Sequence, residues 1–192
     1  MIPAWNVSGV LPPIRPGEEG HGPDRSPYHT TMTQVVERFC TSADRLNILM
    51  GLLNYRQELY SLGIAEGFQW LNGSFMQDIE STNGRSPNVV DVVTFFRLPH
   101  GQTQETIFGD PQARALFDVA HTKAIYRVDG YPLILGDRIE EWHVHQISYW
   151  YSMWSHTRER YWKGFVRVDL DPGGDAAARQ FLETFDGVEA EI

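Results

Sequence analysis

The run Asn88-Val89-Val90-Asp91-Val92-Val93-Thr94-Phe95-Phe96 constrains this chain more than any other. Its β-branched and aromatic residues suit a pleated strand, and it is the strongest strand in the sequence. One charge, Asp91, sits inside it. An ionised carboxylate on a buried strand is costly unless a cation or a metal accompanies it. A fold that buries this strand must therefore supply Asp91 with a partner. Arg97, Lys123 and Arg127 are the plain candidates, and a metal ion is the other.

The rest of the chain alternates between the two periodicities. Thr41-Ser42-Ala43-Asp44 reads as a helix start with an acid in the first turn. Leu46, Leu49, Met50 and Leu53 then recur at helical spacing, and the helix runs to about Ser61 before Gly63 stops it. Gly67-Phe68-Gln69-Trp70-Leu71 is a short strand that enters Asn72-Gly73-Ser74. After the strong strand, Asp110-Pro111 pairs a capping Asp with Pro at the first helical position, predicting a helix to about Ala120. Lys123 to Leu135 reads as a strand or hairpin, broken near Gly130 and Pro132. Residues 138–156 lean to helix and Phe165 to Leu170 to strand. Asp171-Pro172-Gly173-Gly174 reads as a turn, succeeded by a helix from Ala176 to Phe185. Six of the eleven prolines lie in the first 27 residues, where fixed φ and missing N–H groups exclude helix and central strand. Ile2, Trp5, Val10, Leu11 and Ile14 give that stretch apolar anchors. The expectation is an extended arm over residues 1–30 and one domain over 31–192. Its class is α/β (α+β), a mixed sheet flanked by helices.

Composition narrows the functions. A net charge of −9 disfavours non-specific duplex DNA binding, which needs Lys and Arg against phosphates. The single cysteine, Cys40, fits a reducing compartment. No basic segment followed by an apolar core opens the chain, and no apolar run reaches the ~20 residues of a membrane helix. The expected location is cytoplasmic. Trp142, Trp150, Trp154 and Trp162 crowd the last third, as expected of a thick core or a covered interface.

Three features come in a suggestive order: Gly73-Ser74 after a short strand, Asp91 on the next strand, and Asp129 further on. Glycine at a turn lets backbone N–H groups approach a phosphate, and serine adds a hydroxyl. Alternation puts positions 89 and 91 on one strand face, where two carboxylates could grip Mg²⁺ together with substrate phosphates. On these residues, over roughly positions 45–135, the chain resembles the minimal nucleotidyltransferases of the DNA polymerase β superfamily. The Gly67–Phe75 stretch and the Val92–Phe96 strand resemble a bacterial branch of it. The resemblance implies a nucleotidyltransferase-like sheet with a Gly-Ser turn for the triphosphate and an Asp-x-Asp pair plus a third carboxylate for two Mg²⁺ ions. Asp91 and Asp129 would be the metal-binding, catalytic pair. Gly73, Ser74 and Lys123 would hold the nucleotide, with Arg127, Arg158, Arg160 and Lys163 as further triphosphate contacts.

Val89 stands where that pattern has its first Asp. Three readings are open. The first is Mg²⁺-dependent transfer of a nucleotide from an NTP to a hydroxyl of a protein or RNA acceptor, weakened by Val89. The second is a catalytically degenerate relative that senses nucleotide or binds a protein partner, in a toxin–antitoxin or phage-defence setting by family analogy. The third is an interaction domain built on the aromatic last third. Two rival sites are weaker. Asp169-Leu170-Asp171 lacks a preceding Gly-Ser turn, and His143-Val144-His145 with His156 lacks a zinc pattern. Asp78 and Glu80 read as first-turn acids of a short helix.

Overall fold

The computed structural model describes residues 1–185. Five strands form one mixed sheet: β1 (Tyr28–Thr30), β2 (Gly67–Asn72), β3 (Val90–Phe96), β4 (Val128–Ile134) and β5 (Val166–Asp169). Their order is β1-β5-β2-β3-β4, with β2 antiparallel to both β3 and β5, and parallel pairs at β3/β4 and β1/β5. The helices are α1 (Met32–Phe39), α2 (Ala43–Ser61), α3 (Ile79–Asn83), α4 (Gln104–Gly109), α5 (Pro111–Leu116), α6 (Val119–Tyr126), α7 (Glu141–Trp154) and α8 (Pro172–Glu183).

Alternation along β3 divides the core in two. Val90, Val92 and Phe96 pack with Val35, Leu49, Leu52 and Leu182 from α1, α2 and α8. Val93 and Phe95 pack on the other side with Trp70, Phe165, Ile147 and Trp154, with Ile147 and Trp154 supplied by α7. Asp91, in phase with Val93, belongs to that second face. It lies at the end of the sheet, where the apolar packing stops.

Several predicted elements shift. The helix expected from Asp110 to Ala120 is two, because Asp118 caps a fresh start by accepting the His121 N–H at 2.8 Å. Lys123 therefore lies on α6, not on a strand or hairpin, and only Val128 onwards is strand. Gly130 and Pro132 do not break β4. It is an edge strand, and a missing N–H on the outer side of an edge leaves no ladder bond unmade. Asp171-Pro172 is a helix start rather than a free turn: Asp171 caps α8 and Pro172 occupies its first turn. Trp154 is buried, but Trp142 and Trp162 are about half exposed, so only part of the aromatic third is core.

The first residues brace two distant parts of the chain. Ile2, Val10 and Leu11 are buried. The Trp5 indole donates to the Met76 carbonyl at 2.8 Å, and the Asp78 N–H donates to the Gly9 carbonyl at 2.8 Å. The Gly164 N–H donates to the Leu11 carbonyl at 2.7 Å.

Candidate functional site

On the α7 side of the sheet, three polar residues lie abreast on three strands. Asn72 is the register partner of Asp91, and Asp91 of Asp129. Adjacent strands run about 4.8 Å apart, so the two carboxylates share one small space. A cavity of about 630 Å³ opens over them, lined also by Gly73, Ser74, Lys123 and Lys163. That volume lies within the range of small-molecule sites.

The turn after β2 is shaped by its contact with Asp91. Gly73 has φ +86, and a Cβ there would lie 2.9 Å from the Asp91 carboxyl carbon. Both the dihedral and the space demand glycine. Ser74 then opens a 3-10 turn, Ser74–Met76. Arg45 of α2, fully buried, fixes this turn by donating to the Phe75 carbonyl at 2.8 Å and the Gln77 carbonyl at 2.6 Å. It also grips Glu80 through two nitrogens at 2.6 and 2.8 Å. Glu80 is thus the counter-ion of Arg45, and its acid anchors the loop.

The charges around the cavity are only partly paired. Lys123 reaches Asp129 Oδ2 at 2.6 Å. Asp129 Oδ1 is buried and accepts no hydrogen bond among the described residues. Asp91 closes no ion pair within 4.0 Å among the described residues, and two of the cations that would have been its plain partners, Arg97 and Lys123, pair with other acids. Arg97 pairs with Glu66 and Asp137, and Arg127 ends α6 in the left-handed region at φ 55. Burial, and then the neighbouring Asp129, push the Asp91 carboxyl up to about 6, against the pull of Lys163, Lys123 and Arg158. Burial pulls the Lys163 ammonium down to about 8, opposed by Asp91 and Glu159.

Gly73, Ser74, Asp91, Lys123 and Asp129 all line this one cavity, although they come from two strands, a turn and a helix. Val89 lines it too, half-buried, two residues before Asp91. Arg158 and Lys163 join them, while Arg127 and Arg160 do not line the cavity. The rival sites dissolve. Asp169 pairs with His29 and Arg167, and Asp171 is a helix cap. His143 and His145 stand two apart on helix α7, on nearly opposite sides, and the His143 ring bonds the Glu140 N–H and the Ile134 carbonyl. Among the described residues, no group of three or more His, Cys, Asp or Glu could hold a metal ion. The Asp91–Asp129 pair is smaller than that. It is nevertheless a donor set of the kind Mg²⁺ uses, since that ion takes one or two carboxylates and completes its shell with phosphate and water.

Two features of the site emerge only from strand register and burial. Asn72 donates to the Trp154 carbonyl at 3.1 Å, tying the sheet to the end of α7, while its Oδ1 is buried without a partner among the described residues. Only strand register reveals that it stands beside Asp91. Lys163 is, by sequence, one of several basic residues with a solvated surface as their default, yet it is 6% exposed. Its place directly before the apolar Gly164-Phe165-Val166 run is the available signal.

Fold and site together define a mixed α+β protein with a cavity of paired carboxylates and lysines at the end of its sheet. The chain belongs to a family of unknown function (DUF6932), whose model matches residues 3–169. That span includes every residue of the cavity. No curated protein and no solved structure matches the chain. No described helix is long and apolar enough to cross a membrane.

Proposed function

We propose that the chain is a nucleotidyltransferase-fold protein that binds a nucleoside triphosphate in this cavity and transfers its nucleotide to a hydroxyl acceptor. The observation that carries the reading is the pair Asp91 and Asp129, side by side at the sheet end and lining one cavity with Gly73 and Ser74, where Asp91 closes no ion pair among the described residues. Asp91 and Asp129 would hold Mg²⁺, which supplies charge neutralisation at the phosphates during an in-line displacement. Gly73 admits the polyphosphate close to the backbone, and Ser74 adds a hydroxyl donor. Lys123 exchanges its contact with Asp129 for a phosphate oxygen. In the transfer, the acceptor oxygen bonds to the α-phosphorus and the α–β anhydride bond breaks. Pyrophosphate leaves with the bonding electrons, and the acceptor proton passes to solvent. A protein side chain or an RNA end would serve as acceptor.

Val89 favours a second reading, in which the site binds nucleotide and transfers it slowly or not at all. One experiment covers both. The full chain is melted with each of the four NTPs and Mg²⁺, and then incubated with α-labelled NTP and candidate acceptors. A ligand that binds only the folded state raises Tm by mass action. A rise for at least one NTP, lost in the Ser74→Ala, Asp91→Ala double variant, supports binding. Label on an acceptor supports transfer, and binding without label supports the second reading. No rise with any NTP contradicts both.

A further inference from the structure

Among the described residues, Lys163 is the least explained charge. It lines the cavity, yet the residue is 6% exposed, and it closes no ion pair within 4.0 Å among the described residues. Lysine is almost never buried this far unless paired. Nor is its position loose. Its own N–H donates to the Ser155 carbonyl at 2.8 Å, and the Gly164 N–H donates to the Leu11 carbonyl at 2.7 Å. A bridge between His156 and Trp162 closes the chain just before it. At position 164 a Cβ would lie 2.6 Å from the Pro12 carbonyl oxygen, so the backbone there is pressed against the first residues. The lysine is therefore delivered into the cavity by a clamped backbone.

Lys123 pairs with Asp129 at 2.6 Å, which leaves Lys163 as a second lysine on the cavity with no acid in ion-pair reach among the described residues. A two-metal site would want a carboxylate at position 89, beside Asp91, and finds Val89 there. A second dication beside Asp91 would lack that ligand and would face the Lys163 ammonium. The geometry points to Lys163 as the resident cation for the polyphosphate of a bound NTP, supplying charge that a second metal ion would otherwise bring, so that part of the binding survives removal of Mg²⁺. This rests on the nucleotide-binding reading and adds to it which group carries the missing charge.

The test is calorimetric titration of the full chain with ATP, GTP, CTP and UTP, in Mg²⁺ and in EDTA, for the natural protein, Lys163→Gln and Lys163→Arg. The natural protein is expected to bind its NTP in EDTA, more weakly than in Mg²⁺. Lys163→Gln should lose about tenfold or more in EDTA, the scale of one charged hydrogen bond, and Lys163→Arg should retain most of the affinity. Melting without ligand guards against misfolding. Removing an unpaired buried charge should leave Tm unchanged or raised, whereas a lysine that merely props the fold would lower it. Binding that requires Mg²⁺ and is indifferent to Lys163→Gln overturns the proposal and leaves the nucleotide-binding reading standing. No binding by the natural protein in either buffer overturns that reading, and this inference with it.

Discussion

Two clusters of buried charge sit on opposite faces of the same sheet, and they are completed differently. On the helical face, all three Arg56 nitrogens have acceptors. They reach Asp175 at 2.6 and 2.9 Å, Gln69 at 2.8 Å and the Asp169 carbonyl at 2.8 Å. The Tyr60 hydroxyl donates to Asp175 at 2.6 Å, and Gln69 continues to Thr94 at 3.0 Å. The network is closed and needs nothing from outside. On the α7 face, Asp91 has no ion pair among the described residues, Asp129 keeps a bare buried oxygen, and Lys163 brings its charge to a cavity. Buried polar groups are normally satisfied, so a cluster left open beside space for a ligand is the place to seek function. Both clusters set acids beside a buried cation. Saturation separates architecture from site.

The comparison breaks first at its closed end. Asp175→Ala strips Arg56 of its counter-ion while leaving the guanidinium buried, and should cost about 3–5 kcal/mol in denaturant unfolding. A loss under about 1 kcal/mol, the scale of an exposed pair, would mean that the closed network is not what holds α2 to α8.

At the open end the sign reverses. The Asp91 carboxyl is raised from its ordinary 3.8 to about 6, so between those values the folded chain keeps a proton that the unfolded chain has released. The stability this supplies is complete below about pH 4 and is lost as pH rises through about 6, on the order of 2–3 kcal/mol in all. Urea unfolding of the natural protein and Asp91→Asn across pH 4 to 8 checks this. The natural protein should lose stability over that window relative to the variant, and parallel curves would contradict the charge assignment.

Gly73→Ala combines a positive φ with a contact at 2.9 Å to Asp91. It should cost about 1–3 kcal/mol, the usual range for a residue held in a disfavoured region. Thermal melting checks it, and an unchanged Tm would mean the turn can relax away from the acid. The smallest stability effect is expected for Val89→Asp, because the position is half-buried and opens on the cavity. A third carboxylate there should make Tm respond more strongly to added Mg²⁺ alone. Destabilisation that Mg²⁺ does not relieve would show that position 89 belongs to the core.

The legible part of the sequence is whatever depends on neighbours along the chain. The α2 helix, the β3 strand and the glycine before Ser74 are set by local spacing, and the order of Gly73, Asp91 and Asp129 along the chain survives as one cavity. The illegible part depends on register and on distant burial. Nothing near Asn72 announces that it pairs with Asp91, and nothing near Arg45 announces that it will hold the Ser74 turn through Phe75 and Gln77. Lys123 falls on a helix rather than a strand because the Asp118 cap outweighs the strand-like Ala124-Ile125-Tyr126 run beside it. At Asp171-Pro172 the two glycines suggest a turn and mask a helix cap.

The most direct test of the open-site account is the melting of the natural protein and Asp91→Asn, each with and without Mg²⁺ and NTP at about pH 7.5, where the Asp91 carboxyl is ionised. Removing the unpaired charge should raise the ligand-free Tm, and the same change should abolish the rise that nucleotide gives the natural protein. A variant that melts lower, or that still responds to nucleotide as the natural protein does, would contradict the claim that Asp91 is kept unpaired for a ligand.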